Sequence, residues 1–441
     1  MAMAPIVRFA PSPTGRIHIG NARAALLNWL FALKHGGQFI LRYDDTDVAR
    51  STQEFADGIA TDVAWLGIKP SRVEWQSKRF GRYDEVAADL KARGFLYACY
   101  ETADELDRRR KRQQARGLPP VYDRASLKLT PDEIVSFEKE GRKPHWRFKL
   151  AQKPVEWNDL IRGPVHIDTA TLSDPVLIRE DGTYLYTLPS VIDDIDFAVT
   201  HVIRGEDHVV NTAAQIEISR AINGTIPEYA HYSLLNGADG KGLSKRLGSL
   251  SIQSFRDEGL EAMAVVSHAA LLGTSDNIHP CADYKELVDN FDLSKLSRAP
   301  ARFDEAELKV LNAKLLHMLP WDAVKDRLPF GSEPFWLAVR GNIEKLSDAK
   351  AWHDVITQDI KVLVADEEKD FIATARGSLP PEPWDAGTWK AWTEIVKSDT
   401  GRKGKALFMP LRLALTGLDH GPELAALLPL IGREKALARL T

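Results

Sequence analysis

Val7-Arg8-Phe9-Ala10-Pro11-Ser12-Pro13-Thr14-Gly15-Arg16-Ile17-His18-Ile19-Gly20-Asn21 decides how this chain is read. Its apolar start reads as a strand, the Pro/Ser/Gly run as a tight turn, and the next stretch as a helix through Ala24, Leu27, Leu30 and Phe31 that stops at Gly36-Gly37. His18 and Gly20 then fall in the first turn of the helix. Unpaired backbone N–H groups and the positive dipole end suit a phosphate there, Gly20 permits close approach, and His18 can donate to phosphate oxygens. An ordinary strand-to-helix turn fits the same letters equally well, so the surrounding chain must discriminate.

Working outward, residues 38–43 form an apolar strand that ends in Asp44-Asp45-Thr46-Asp47. The C-terminal edge of a parallel sheet is where open α/β folds bind ligands, which favours a functional role for some of these carboxylates. Ser51-Thr52-Gln53-Glu54 is a capping-box pattern that opens a helix through Phe55, Ile59, Val63 and Leu66, ended by Gly67. A helix over 83–93 ends at Gly94, so strand and helix alternate as in a parallel sheet with crossover helices.

Between residues 95 and 190 the texture changes to α+β. Thr102 caps a very basic helix carrying Arg108, Arg109, Arg110, Lys111, Arg112 and Arg116, read as a solvated face. Thr130-Pro131-Asp132-Glu133 opens another helix, 145–150 reads as a strand, and 176–179 with 183–186 flank Asp181-Gly182 as a hairpin. Alternation then resumes with a short helix near Val191, a strand over 198–203 running into Arg204-Gly205-Glu206-Asp207-His208, and a helix over 212–222. A glycine-rich basic loop over 236–248 carries Lys241, Lys245 and Arg246; composition leaves open a flap over phosphates or a solvated loop. Beyond Ser251 every periodic segment reads as helical: 262–272, 305–319, 335–346, 389–396 and 434–440. The tryptophans of that region, Trp336, Trp352, Trp384, Trp389 and Trp392, read mostly as core.

The whole chain sets bounds. Its 441 residues are enough for about two to four domains. With 44% hydrophobic and 27% charged residues the composition is globular, and no apolar run is long enough to span a bilayer. The start lacks a basic-then-apolar leader, which gives a cytoplasmic expectation. Cys99 and Cys281, far apart and in no Cys-x-x-Cys spacing, argue against a disulfide framework or a cysteine zinc site. A net charge of −4 does not mark a nucleic-acid binder globally, although such a signal is often local.

Taken together, the N-terminal turn, the acidic strand end, Val202-Ile203-Arg204-Gly205-Glu206-Asp207 and the loop at Lys245 resemble the class I aminoacyl-tRNA synthetases, specifically the bacterial glutamyl-tRNA synthetases. His18-Ile19-Gly20-Asn21, preceded by Pro11, Ser12 and Gly15, is similar to the HIGH signature, and Gly242-Leu243-Ser244-Lys245-Arg246 to the KMSKS signature. Residues 410–417 resemble the anticodon-binding part. The resemblance implies an α/β class I fold: a Rossmann-like catalytic domain in two halves, 1–94 and 190–236, split by an acceptor-stem-binding insertion at 95–189. A KMSKS-like loop and stem-contact region over 237–304 and an all-α anticodon-binding region over 305–441 complete the expected order.

The implied chemistry is glutamate–tRNA ligation: ATP and L-glutamate give glutamyl-adenylate, and the glutamyl group passes to the 3′-terminal adenosine of tRNA(Glu), with tRNA(Gln) open as a second acceptor. By the same resemblance His18 and Lys245 are catalytic, and ATP meets His18, Gly20, Asn21, Ser244, Lys245 and Lys241. Glutamate meets Arg8, Ser12, Asp44, Tyr186 and Arg204, the two arginines taking its carboxylates in an order left open and Asp44 its ammonium. Asp44 is one methylene shorter than the usual Glu, and Gly242 replaces the first lysine of the loop signature, a loss that Lys241 offsets. Mg²⁺ accompanies ATP, no zinc is expected, and a monomer without membrane association is anticipated. Arg340 and Asn342 lie where anticodon readers are first sought. A truncated relative that glutamylates a modified tRNA base is disfavoured by the long helical C-terminus, and a glutaminyl enzyme by the charge of Arg204. The insertion and helical tail disfavour a small-molecule nucleotidyltransferase, and His18 with Lys245 a catalytically silent paralogue.

Overall fold

The computed structural model describes residues 4–237, 239–243, 250–360 and 364–441. It comprises two compact units, Met1–Asp257 with Val265–Asp304, and Glu258–Ala264 with Glu305–Thr441. The first unit opens with β1 (Ile6–Phe9), α1 (Ile19–Lys34), β2 (Gln38–Tyr43), α2 (Gln53–Trp65), β3 (Arg72–Trp75) and α3 (Phe80–Ala92). The three strands pair in parallel in the order β1-β2-β3. Helix α1 is apolar nearly all round because it is buried nearly all round, and the left-handed Gly36 (φ +62°) follows its end. Helix α2 starts one residue later than the Ser51 pattern predicts. Thr52 is the cap, its Oγ1 accepting from Phe55 N–H at 3.2 Å, because its own N–H is held by Pro13 O of the first turn at 3.1 Å.

Next come β4 (Leu96–Cys99), α4 (Ala103–Ala115), α5 (Pro131–Lys139), β5 (His145–Phe148), β6 (Pro154–Asp159), β7 (Gly163–Asp168) and β8 (Val176–Ile178). Strands β4, β5 and β8 make a small antiparallel sheet. The arginine-rich α4 buries none of its residues, as a solvated face should. The hairpin expected around Asp181-Gly182 has a short second arm: only Tyr184 bridges back to Ile178, and Tyr186 already caps the next helix, whose Leu188, Val191 and Ile192 are drawn into the core.

That helix is α6 (Thr187–Asp196), followed by β9 (His201–Gly205), α7 (Val209–Ala221) and β10 (Glu228–Tyr232). They bring a second sheet in the order β7-β6-β10-β9, parallel except for the β6–β7 hairpin. Strand β6, inside the stretch read as an insertion, therefore belongs to the same sheet as β9 and β10. The two sheets meet at Thr200, whose N–H donates to Ile6 O at 2.9 Å while its Oγ1 accepts from Ile6 N–H at 2.8 Å. Strand order reverses at this seam between β1 and β9, the usual place for a ligand crevice in α/β sheets.

The unit closes with β11 (Leu235–Gly237), α8 (Ile252–Asp257), α9 (Ala262–Leu271), α10 (Tyr284–Asn290) and β12 (Ala301–Phe303). Strand β12 pairs in parallel with β11, so the chain beyond Ser251 is not purely helical; a three-residue strand is too short to show alternation in the sequence. The second unit contains α11 (Glu305–Met318), α12 (Glu333–Val339), α13 (Ala349–Thr357), α14 (Lys369–Gly377), α15 (Thr388–Thr400), α16 (Lys405–Thr416), α17 (Leu424–Ile431) and α18 (Arg433–Arg439), with no strand among its described residues. Trp336 and Trp392 are fully buried, their indole N–H groups donating to Leu319 O and Ala375 O at 2.9 Å, and Trp352 is buried too. Trp384 and Trp389 are half-buried. The helix expected over 335–346 stops at Val339; Arg340–Asn342 is a 3-10 turn, and Arg340 donates to Leu319 O at 2.8 Å.

Candidate active site

A cavity of about 570 Å³ opens at the C-terminal ends of β1 and β9. Arg8, Ser12, His18, Gly20, Asn21, Asp44, Tyr186 and Arg204 all line it, beside Pro11, Gly242 and Leu243. Ile19 is fully buried behind the turn. Gly15 and Lys241 do not line the cavity, and Lys241 is exposed in a turn whose backbone bonds Gly237 and Asp239. Ser244, Lys245 and Arg246 lie outside the described residues.

His18 is the N-cap of α1. Its Nδ1 accepts from Gly20 N–H at 3.1 Å, and its own N–H donates to Asn21 Oδ1 at 3.2 Å. Because Nδ1 accepts, hydrogen bonding assigns the ring proton to Nε2. Burial lowers the imidazole pKa below its ordinary 6.5, so at neutral pH His18 is an uncharged N–H donor with its tautomer set by the helix end. A Cβ on residue 20 would sit 2.9 Å from His18 Cε1, which explains a glycine there. The chain on both sides of residues 244–249 borders this turn: Gly242 and Leu243 line the cavity, Ile19 N–H donates to Leu250 O, and Ile252 N–H donates to Ile17 O, each at 3.1 Å.

Behind the opposite wall, charges alternate. Arg8 donates through Nε and Nη2 to Asp194 at 3.1 and 3.3 Å, Arg42 Nη1 donates to Asp194 at 2.8 Å, and Arg42 Nε and Nη2 hold Asp44 at 2.7 and 3.2 Å. Burial disfavours the Arg42 charge, yet Asp44, Asp194 and Asp193 together outweigh it and raise its pKa. Burial raises the pKa of Asp44 despite Arg42 and Arg8, while for Asp194 the same burial penalty is overcome by those two arginines and its pKa falls. Asp44 thus reaches the cavity already gripped by Arg42, and Arg8 keeps Nη1 without a hydrogen-bond partner among the described residues. Sequence reasoning alone misses Arg42, Asp194 and Ser190. A charged residue in the apolar run Phe39-Ile40-Leu41-Arg42-Tyr43 and the Asp193-Asp194 pair on an otherwise apolar helix were the available signals.

Arg204 is wired differently. Its Nε donates to His231 Nε2 at 3.1 Å, and Nη2 donates to Thr212 Oγ1 and Gln215 Oε1 at 2.7 Å. No carboxylate among the described residues forms an ion pair with it. Burial, unrelieved by such a partner, pulls its pKa down to about 10. A buried guanidinium without a counter-ion is costly unless a ligand supplies the negative charge. Tyr186, beside it in the cavity wall, accepts from the Asn211 amide.

Cys99, Glu101 and His145 cluster in the insertion stretch with their potential ligand atoms within 4.8 Å of one another. They suit zinc poorly: Glu101 accepts from Tyr122 and Ser126 hydroxyls at 2.7 Å on its two oxygens, and the trio offers a single thiol.

Residues 6–310 match the family described as tRNA synthetases class I (E and Q), catalytic domain, and residues 339–441 match an anticodon binding domain. Glutamate–tRNA ligase 2 of Methylobacterium sp. (strain 4-46) is 58% identical over 99% of both chains. Glutamate–tRNA ligase 1 of Brucella ovis is 55% identical over 99% of this chain and 100% of its own. Among solved structures, a glutamate tRNA ligase from Elizabethkingia meningosepticum in complex with its amino acid superposes with a TM-score of 0.86 at 27% identity, covering 99% of this chain and 98% of that one. With both its catalytic and its anticodon-binding regions matched, the chain belongs to the class I tRNA synthetases of the E and Q group.

Proposed function

We propose that this chain is a glutamate–tRNA ligase that converts L-glutamate and ATP to glutamyl-adenylate and diphosphate, then transfers the glutamyl group to the 3′-terminal adenosine of tRNA(Glu). The observation that carries the amino-acid assignment is Arg204, a buried cation lining the cavity whose described partners are all uncharged. A substrate carboxylate supplies the missing charge; if it is the side-chain one, the carboxamide of glutamine does not replace it. The names of the relatives point the same way.

Adenylate formation is an in-line attack by a glutamate carboxylate oxygen on the α-phosphorus, so the site must align reactants and offset negative charge rather than supply a nucleophile. His18 Nε2–H takes phosphate oxygens at the positive end of the α1 dipole, next to Gly20 and Asn21. Ser244 and Lys245 follow Leu243 of the cavity wall by one and two residues, Lys245 serves the phosphates from that side, and Lys241 adds charge nearby. Arg8, through Nη1, and Arg204 take the two carboxylates of glutamate, Ser12 and Tyr186 supply further contacts, and Asp44 accepts from the ammonium. Mg²⁺ enters with ATP, held mainly by phosphate and water oxygens. The exposed arginine face of α4 serves the acceptor stem, the second unit serves the anticodon, and the enzyme works as a cytoplasmic monomer.

The test is direct. Purified protein, ATP, Mg²⁺ and labelled glutamate should give tRNA-linked glutamate with tRNA(Glu), and a parallel arm with tRNA(Gln) defines acceptor range. Linkage of a different amino acid, or of none, overturns the proposal.

A further inference from the structure

Behind Arg204 lies a buried carboxylate–imidazole pair that the adenylation chemistry does not call on. Asp159, the last residue of β6, and His231 of β10 are both fully buried, with His231 Nδ1 at 2.5 Å from Asp159 Oδ2. Asp159 Oδ1 also accepts from the backbone N–H groups of Ile161, Arg162 and His231 at 3.1, 3.0 and 3.1 Å. Three backbone donors on Oδ1, with the His231 ring against Oδ2, favour the ionised carboxylate. These hydrogen bonds outweigh the burial penalty and hold its pKa down at about 2.

That arrangement dictates the protons around it. An ionised Asp159 requires the His231 proton on Nδ1, so Nε2 carries a lone pair, and Arg204 Nε–H donates into that lone pair at 3.1 Å. The Thr212 hydroxyl, 3.1 Å from the same Nε2, donates to His208 O at 3.1 Å and accepts from Arg204 Nη2 at 2.7 Å. Burial and the neighbouring Arg204 both oppose a second proton on His231. Three of the five N–H bonds of Arg204 are thereby fixed by acceptors on β10 and α7, leaving Nη1 for a ligand. The imidazole also stands between the two opposite charges. A carboxylate touching Arg204 directly would neutralise it, whereas a neutral ring orients it and leaves its charge for the substrate.

We infer that Asp159 and His231 form a positioning couple that orients Arg204 for the substrate carboxylate and so set the affinity and selectivity for glutamate. The inference rests on the reading of Arg204 as the carboxylate site. Asp159 comes from the hairpin β6–β7, so the couple makes a strand in the insertion stretch part of amino-acid recognition.

ATP–diphosphate exchange by the full-length enzyme tests it, varying glutamate and ATP separately. His231→Ala should raise KM for glutamate about tenfold, the loss expected of one hydrogen bond to a charged group, with KM for ATP and kcat at saturating glutamate unchanged. His231→Gln, whose Oε1 can accept from Arg204 Nε, should restore most of the affinity. In an Arg204→Gln background, which has its own raised KM, adding His231→Ala should change KM for glutamate no further. Should His231→Ala not fold, judged by thermal unfolding, His231→Asn makes the same comparison, because its shorter amide falls out of reach of Arg204. An unchanged KM for glutamate in the His231 variants, an equal loss against ATP, or failure of Gln to rescue overturns the positioning role. If Arg204→Gln itself leaves KM for glutamate unchanged, it is the carboxylate reading that falls, in an arm that never touches His231.

Discussion

Gly20→Ala is the sharpest probe of the turn that opens α1. The added Cβ would lie 2.9 Å from His18 Cε1 and 3.1 Å from Nδ1, with Leu243 Cδ1 at 3.8 Å on the far side. Carbon atoms rest about 3.5–4.0 Å apart, so the imidazole must move by roughly 0.5–1 Å or rotate away. Either motion breaks the 3.1 Å bond from Gly20 N–H to Nδ1 that fixes the ring proton on Nε2. Losing an N-cap costs about 1 kcal/mol, and alanine regains about as much through its helix propensity over glycine, so global stability should hardly change. The rate should. A misaligned donor to a charge-bearing transition state costs about 2.7–4 kcal/mol, or roughly 10²–10³ in kcat. ATP–diphosphate exchange together with thermal unfolding reads both quantities on one protein. If Gly20 acts through His18, adding Gly20→Ala to His18→Ala should cost nothing further. A Gly20→Ala enzyme with wild-type exchange, or with a rate loss matched by unfolding, would refute the reasoning.

Three more outcomes are expected. Asp194→Asn leaves Arg8 and Arg42 partly uncompensated in a buried site and should reduce stability to denaturant by about 3–5 kcal/mol; a loss under about 1 kcal/mol would show that the alternating charges are not coupled. Burial lowers the His18 pKa, so its neutral, capping form persists below pH 6.5. The exchange rate should stay flat from pH 8 to 6.5 and fall only at lower pH, and an acid midpoint at or above 6.5 contradicts this. Lys245→Ala should slow adenylate formation by about 10²–10³ with little change in tRNA binding, while Lys241→Ala, outside the cavity, should have a much smaller effect; equal losses in rate and tRNA affinity would contradict a catalytic loop.

Much of the fold could be read in the letters because local signals and tertiary structure agree. Strand β2 appears with its expected bounds, and α4 starts at the Thr102 cap with its charges in solvent. The failures have physical causes. Ser51 and Thr52 are chemically interchangeable as caps, and only the bond from Thr52 N–H to Pro13 O, between residues distant in sequence, selects one. Strand β3 is four residues of half-exposed surface, and β12 is three, too short for any period to register. At the site, Arg8, Ser12, His18, Asp44, Tyr186 and Arg204 were named through the family resemblance, and the crevice gathers all six. The residues behind them were not. Asp159 and His231 are 72 positions apart, and nothing local marks either as a neighbour of Arg204.

The pairing of β6 with β10 has a consequence for modular exchange. Residues 95–189 look like a cassette that could be cut out and replaced by the corresponding segment of a relative, but Asp159 travels with the cassette while His231 stays in the recipient. A graft that replaces one without the other leaves a buried carboxylate or imidazole with the wrong partner, 3.1 Å from the guanidinium of Arg204 in the imidazole case. Positions 159 and 231 must therefore be transplanted together, and natural drift at one should be answered at the other, however freely the arginine-covered outer helix of the same cassette is redesigned.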